Sequence, residues 1–207
     1  MWLFTPGNQS VIPKPTEAVM TTTRNFLPAI CLSLIAISTA SAELAPQMAA
    51  GGKVLRLNGS GGRTKTFVQV YEGGLYLLKP ATDAKTVLES DEVMAVRIKV
   101  TSGFVSRTSL LSSLKEGLAQ SSRGRPDAFA RETGQLQQLL QFEIRKNDTY
   151  DFVYVPSEGL NVLKDGKNLG VIPGLEFKKA FFGIWLSDSP VDSDLRKKML
   201  AGRAIAE

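Results

Sequence analysis

The stretch Leu57–Leu77 reads LNGSGGRTKTFVQVYEGGLYL and carries the clearest structural signals of the chain. Its glycines at 59–62 predict a turn, because glycine adopts positive φ angles without steric cost. Thr66 to Tyr71 is rich in β-branched and aromatic residues, which favour a half-buried strand, and a second strand is expected at 75–78. Arg63 lies at the mouth of this apolar run, where it is a natural counter-charge for a small acid. The residues alone indicate a binding fold for a ligand they do not identify.

Further strands are predicted on both sides of this stretch. Lys53 to Leu57 alternates in polarity and should end at an Asn58-Gly59 turn. Residues 93–101 form a clear strand pattern, with apolar side chains on one face and Arg97 and Lys99 on the other. Strands are also expected at 149–155, 160–163 and 168–172, the last two joined by an Asp165-Gly166 turn.

Helical periods fall between and after these strands. They predict helices at 82–89, 106–120 and 129–142, another that ends at Trp185, and a last one capped by Asp192. Strands and helices alternate through hairpin links and without a βαβ rhythm. The predicted class is therefore α+β, with a mostly antiparallel sheet covered on one face by helices.

Composition excludes several kinds of chemistry. The 207 residues are 43% hydrophobic and 22% charged, which suits one globular domain. A net charge of +5 without a basic run predicts no nucleic acid partner. The absence of histidine excludes Ser-His and Cys-His nucleophiles and an imidazole base. Cys31 is the only cysteine, and neither a cofactor nor a metal is expected.

The first 42 residues have the pattern of an export signal. Residues 20–25 are a short cationic segment, 26–39 are apolar, and Ala40-Ser41-Ala42 is a small-residue cleavage pattern. We interpret 20–42 as a signal peptide and 1–19 as an upstream mis-chosen start. A transmembrane anchor is the alternative, although the apolar run is shorter than the roughly 20 residues that span a bilayer.

Cleavage near Ala42 predicts a periplasmic or secreted protein that meets a membrane only during export. In the mature chain, 43–52 is expected to be a flexible lead-in because it is small and polar with Pro46. Residues 53–207 are then the folded domain.

Three blocks carry a family resemblance: LNGSGGRTKTFVQVYEGGLYL, DFVYVPSEGLNV and GVIPGLEFKKAFFGIWLSDSPVDSDL. In this order they resemble the exported, bacterial branch of the chalcone isomerase-like proteins, over roughly Lys53 to Gly202. The resemblance implies the chalcone isomerase-like open-faced β-sandwich. It also implies that Arg63 reaches a ligand cleft, where fatty-acid-binding members pair this arginine with a carboxylate, and that Tyr71 hydrogen-bonds the same group.

The spacing of Arg63 and Tyr71 sets a condition on this site. In a straight strand at about 3.4 Å per residue they would lie roughly 27 Å apart. They can share one head group only if the chain turns between them. The sequence therefore predicts that Arg63 and Tyr71 bind one head group together only if a turn lies between them.

Catalysis is the second function that the resemblance implies. Catalytic members carry a Tyr/Lys/Asn set on the helix after the long strand, whereas 106–120 contains Thr108 and Lys115 but neither tyrosine nor asparagine. The leading expectation is thus a non-catalytic binding protein for a fatty acid or similar small amphiphile. An intramolecular lyase or isomerase acting on an unsaturated carbonyl compound, and an envelope protein-interaction module, are the alternatives.

Two further groups have a functional and a structural interpretation. Phe177, Phe181, Phe182 and Trp185 could line a lipid tunnel, but helical spacing favours ordinary core packing. Asp188, Asp192 and Asp194 could suggest a metal site, but helix capping explains them more simply.

Overall fold

The computed structural model describes residues 44–122 and 125–202. In them an antiparallel sheet of seven strands follows chain order from one edge to the other. The strands are β1 (Gln47–Ala50), β2 (Lys53–Lys65), β3 (Val68–Leu77), β4 (Met94–Val100), β5 (Thr149–Val155), β6 (Gly159–Lys164) and β7 (Lys167–Ile172). The helices are α1 (Ala84–Glu89), α2 (Arg107–Ser121), α3 (Ala130–Leu139), α4 (Leu175–Leu186) and α5 (Ser193–Met199), with a short 3-10 turn at Pro126–Phe129.

The main core lies between one face of the sheet and the helices. Alternate residues of β3 to β6 supply its sheet side, and α4 supplies Phe177, Phe181 and Trp185, which are at most 2% exposed. A smaller apolar cluster with Leu55 and Tyr76 covers part of the other face. The predicted α+β class is confirmed, as is the alternation of β4, because every second side chain of a strand meets the helices.

The prediction of a glycine-rich turn at 59–62 is wrong. These glycines lie inside β2, which continues past the expected Asn58-Gly59 turn as far as Lys65. A Cβ at Gly59 would overlap the main-chain oxygen of Lys198, so glycine is needed where α5 packs directly on the strand. Asn58 is an extra residue at a register shift, and its side-chain nitrogen donates to the oxygens of Ala81 and Met199 at 2.8 and 2.7 Å.

The actual turn lies at Thr66 and Phe67, which were predicted to be in a strand. Both residues have positive φ angles, of 47° and 71°, and they join β2 to β3 in a tight hairpin. The expected flexible lead-in at 43–52 also contains a strand, because Gln47–Ala50 pairs with Lys53–Arg56 of β2.

The predicted leader, residues 1–42, lies outside the described residues. Within 44–122 and 125–202, no helix is long and apolar enough to cross a membrane.

Candidate functional site

Arg63 and Tyr71 face each other across the hairpin. They are direct register partners on β2 and β3, and the turn between them meets the condition that their spacing sets. The Arg63 guanidinium carbon lies 5.8 Å from the centroid of the Tyr71 ring, within the range of a cation–π interaction. No carboxylate among the described residues pairs with Arg63. The hairpin therefore joins a cation and a phenol at one place.

Trp185 fixes the position of the Tyr71 hydroxyl. Its indole nitrogen donates a 2.9 Å hydrogen bond to the Tyr71 oxygen, and both side chains are buried. Burial raises the pKa of Tyr71, while the positive charge of Arg63 opposes this rise. The phenol therefore stays neutral near pH 7. Because its oxygen accepts from Trp185 and the described residues supply no acceptor for its hydrogen, the hydroxyl can donate to a ligand.

A cleft of about 300 Å³ opens beside this pair. Its walls come from β2 and β3, the loop before α2, and α2 itself: Arg63, Lys65, Thr66, Val68, Val70, Tyr71, Phe104, Val105, Ser109, Leu110 and Ser113. Both charged residues in this lining, Arg63 and Lys65, are cationic. An anionic head group and an apolar tail would each find a complementary surface here.

The α2 helix turns one face to the cleft and another away from it. Ser109, Leu110 and Ser113 line the cleft, whereas Thr108 and Lys115 border a separate depression of about 230 Å³. The two α2 residues that the family resemblance offered for catalysis are therefore not in the site that contains Arg63.

Among the described residues, two larger clefts are less suited to an anion. One, of about 480 Å³, lies on the opposite face of the sheet and contains Arg97, whose Nε and Nη2 already pair with Asp151 at 2.6 and 2.9 Å. The other, of about 490 Å³, has a mixed lining, with Glu89, Glu176 and Asp188 beside Lys85, Arg125 and Lys179. Its Lys179 already pairs with Glu89 and Glu176 at 2.8 Å and is not available to an incoming carboxylate. Charge therefore favours the smaller cleft.

The remaining sequence candidates have structural roles. The aromatic rings of α4 pack on the sheet, with Phe152 and Phe181 centroids 4.8 Å apart, so core packing is confirmed. Asp192 caps α5 by accepting hydrogen bonds from the main-chain nitrogens of Asp194 and Leu195, as predicted. Asp188 pairs with Arg196 at 3.2 Å. No group of three potential metal ligands occurs in the part of the chain that the structure describes.

Sequence reasoning missed two residues of the site and one contact. Trp185 was considered as part of a lipid tunnel or of the core, but its contact with Tyr71, 114 positions earlier, leaves no local signal. Lys65 and Phe104 were not singled out. An apolar residue in a Ser-Gly loop, Phe104, was the one sign in the sequence of an exposed apolar surface at this site.

Comparison with known proteins agrees with this architecture. A family model described as chalcone isomerase-like matches residues 36–201. The crystal structure of a fatty-acid binding protein from Arabidopsis thaliana is similar, with a TM-score of 0.64 and 16% identity, over 76% of this chain and 91% of that one. At this identity the likeness shows the fold. No curated protein matches the sequence.

Proposed function

We propose, since the chain belongs to the chalcone isomerase-like family, that it is a non-catalytic binding protein for a fatty acid or similar small amphiphilic carboxylate. The observation that supports this most is the Arg63 guanidinium over the Tyr71 ring, without a carboxylate partner among the described residues, at the polar end of an apolar cleft. The structurally similar plant protein is itself described as fatty-acid binding.

The head group would be held by two donors. Arg63 offers a charged, planar fork that suits both oxygens of a carboxylate, and Tyr71 offers a neutral hydroxyl whose direction Trp185 fixes. Hydrogen bonds to a charged group contribute about 1.5–3 kcal/mol each. The pair therefore distinguishes a carboxylate from an uncharged head group on the same chain.

The apolar wall would hold the hydrocarbon tail. Val68, Val70, Val105 and Leu110 line the cleft, and each buried methylene contributes about 0.8 kcal/mol. A volume of about 300 Å³ is at the lower end of the usual range for ligand sites. Beyond Tyr71 the interior is filled by Trp185, which is 1% exposed. These features favour a medium-length chain, or one whose end remains outside the cleft.

The cleft is less suited to catalysis. An isomerase needs an oriented acceptor for the phenolate together with acid or base assistance at the enolate. From α2 the cleft receives two serines and a leucine. The tyrosine and asparagine that catalytic members carry on this helix do not occur in 106–120, and this favours binding over an isomerase reaction.

The proposed setting is the periplasm or the exterior of a bacterial cell. This part of the proposal depends on the signal-peptide pattern at 20–42 alone. N-terminal sequencing of the protein purified after expression of the full chain tests it, with Glu43 expected as the first residue.

Titration calorimetry with a medium-chain fatty acid tests the binding proposal. Arg63→Ala should weaken binding about 10–150-fold, the loss of one charged hydrogen-bonding group. The melting temperature should fall by no more than a few degrees, because only one cation–π contact is lost. Arg131→Ala is the matched control, because Arg131 is exposed on α3, a helix that packs on β7, four strands from β3. The fatty alcohol of equal chain length should bind wild type and Arg63→Ala alike. If Arg63→Ala and wild type bind the fatty acid with equal affinity, the proposal that this cleft binds its carboxylate is refuted.

A further inference from the structure

We infer that the mouth of the cleft docks on the surface of an anionic lipid bilayer, with Phe67 and Phe104 entering the interface. The inference rests on the proposed function, since it names the surface from which the amphiphile is taken. It departs from the expectation that the chain meets a membrane only during export.

Phe67 is the first observation. It lies at the tip of the β2–β3 hairpin and is 98% exposed, the highest exposure among the large apolar side chains described. Its φ angle of 71° belongs to the left-handed region, which is unfavourable for a bulky residue, and Asn or Gly is the usual occupant of such a turn. Core packing does not account for a strained, exposed aromatic residue.

Phe104 supplies a second ring at the same mouth. It is 87% exposed and lines the cleft together with Val68, the residue that follows Phe67. The loop that carries Phe104 is tied to β3, because the Thr101 nitrogen and hydroxyl donate to the oxygens of Val70 and Gln69 at 3.1 and 2.9 Å. The two most exposed large apolar residues described therefore lie on adjacent loops.

The charges beside these rings favour an anionic lipid surface. Arg63 and Lys65 line the same mouth, and no acidic residue is among the residues that line it. Aromatic rings flanked by cations suit the boundary between acyl chains and negatively charged head groups. A lipid surface is also where an amphiphile concentrates, so docking would place the cleft opening at its source.

Vesicle co-sedimentation tests the inference. The protein, purified after expression of the full chain, is mixed with phosphatidylglycerol/phosphatidylcholine vesicles or with phosphatidylcholine vesicles. We expect wild type to partition more strongly onto the anionic vesicles. Phe67→Asn should reduce this partition about tenfold or more, because an inserted aromatic ring is lost. Asn suits a positive φ angle, so the melting temperature should equal or exceed that of wild type.

The matched control is Phe142→Asn, which removes a half-exposed ring after α3 that does not line the cleft and should leave partition unchanged. Lys65→Gln should reduce partition onto anionic vesicles about fivefold and hardly affect neutral ones.

Fatty-acid calorimetry separates this inference from the proposed function. Phe67 does not line the cleft, so Phe67→Asn should bind fatty acid in solution as wild type does. Suppose that wild type does not bind fatty acid but partitions onto vesicles, and that Phe67→Asn loses this partition. The proposed function then fails and the docking inference stands. Equal partition of wild type and Phe67→Asn overturns docking. Self-association that depends on Phe67, without vesicle binding, also overturns it and assigns the patch to a second copy of the chain.

Discussion

The exchange Tyr71→Phe removes one oxygen atom that serves both the core and the proposed site. In the ligand-free protein, this oxygen accepts the indole N–H of Trp185 at 2.9 Å, and Trp185 is only 1% exposed. Leaving a buried donor without a partner costs about 1–3 kcal/mol. We expect the free energy of unfolding to fall by this amount in urea denaturation, with an unchanged dependence on urea concentration because the fold is retained.

The same exchange should weaken fatty-acid binding. The variant cannot donate a hydrogen bond from position 71 to the charged carboxylate, a loss of about 1.5–3 kcal/mol. The dissociation constant should therefore be about 10–150-fold larger. Titration calorimetry at a temperature where the variant is fully folded measures this change separately from stability. The fatty alcohol again serves as the uncharged comparison ligand, and its affinity should fall much less between wild type and Tyr71→Phe.

Tyr76→Phe is the matched control. Tyr76 lies on the same strand but on the opposite face, where its hydroxyl donates to the oxygen of Ala45 at 2.8 Å. This variant should also lose stability, yet it should bind fatty acid as wild type does. If Tyr71→Phe binds as tightly as wild type, or if both variants lose affinity equally, the hydroxyl of Tyr71 has no part in recognition and the reasoning is refuted.

Two further predictions concern the supports of the site. Gly59→Ala places a Cβ against the main-chain oxygen of Lys198 and should destabilise the protein by about 1–3 kcal/mol in urea denaturation. Gly134→Ala, with open space on α3, should instead stabilise it by about 0.5–1 kcal/mol. The opposite order of stabilities would show that α5 does not pack directly on Gly59. Lys178 is fully buried and donates to three main-chain oxygens around the end of α1, and burial lowers its pKa to about 8. Because its pKa is lower in the folded than in the unfolded state, Lys178 favours the folded state increasingly from pH 8 to about 10.4, whereas the buried tyrosines, whose pKa is raised, have the opposite effect near pH 10. In urea denaturation at pH 7.5 and 9.5, the free energy of unfolding of wild type should therefore rise relative to that of Lys178→Met.

The regular elements could be predicted because their signals are local. In β4, apolar residues alternate with Arg97 and Lys99, and the structure places the apolar set against the helices. Asp192 lies directly before an apolar helical period, and it caps α5 as expected. Such patterns are written within a few residues, so a single sequence contains them.

The hairpin could not be predicted because distant contacts determine it. Asn58 and Gly59 have the composition of a turn, but they meet the end of α5, about 140 positions later, and that contact keeps them in a strand. Thr66 and Phe67 have high strand propensity, yet they form the turn, since register pairing on both sides fixes the length of the hairpin. The meeting of Arg63 and Tyr71 follows from this turn. That they bind a ligand stays a prediction.

The two donors of the site differ in how firmly the fold holds them. Tyr71 is 4% exposed and hydrogen-bonded to α4, whose aromatic residues form the core. Arg63 is half-buried near the end of a hairpin whose tip is exposed. The ordering cost of binding should therefore fall mainly on Arg63, while Tyr71 sets where the head group rests. Because Trp185 fills the interior beyond Tyr71, a tail cannot run inward and has to lie along Val68 and the α2 side of the mouth. Under the proposed function, Val68 and Phe104 at the rim would contact the tail, whereas Phe67, which does not line the cleft, would not.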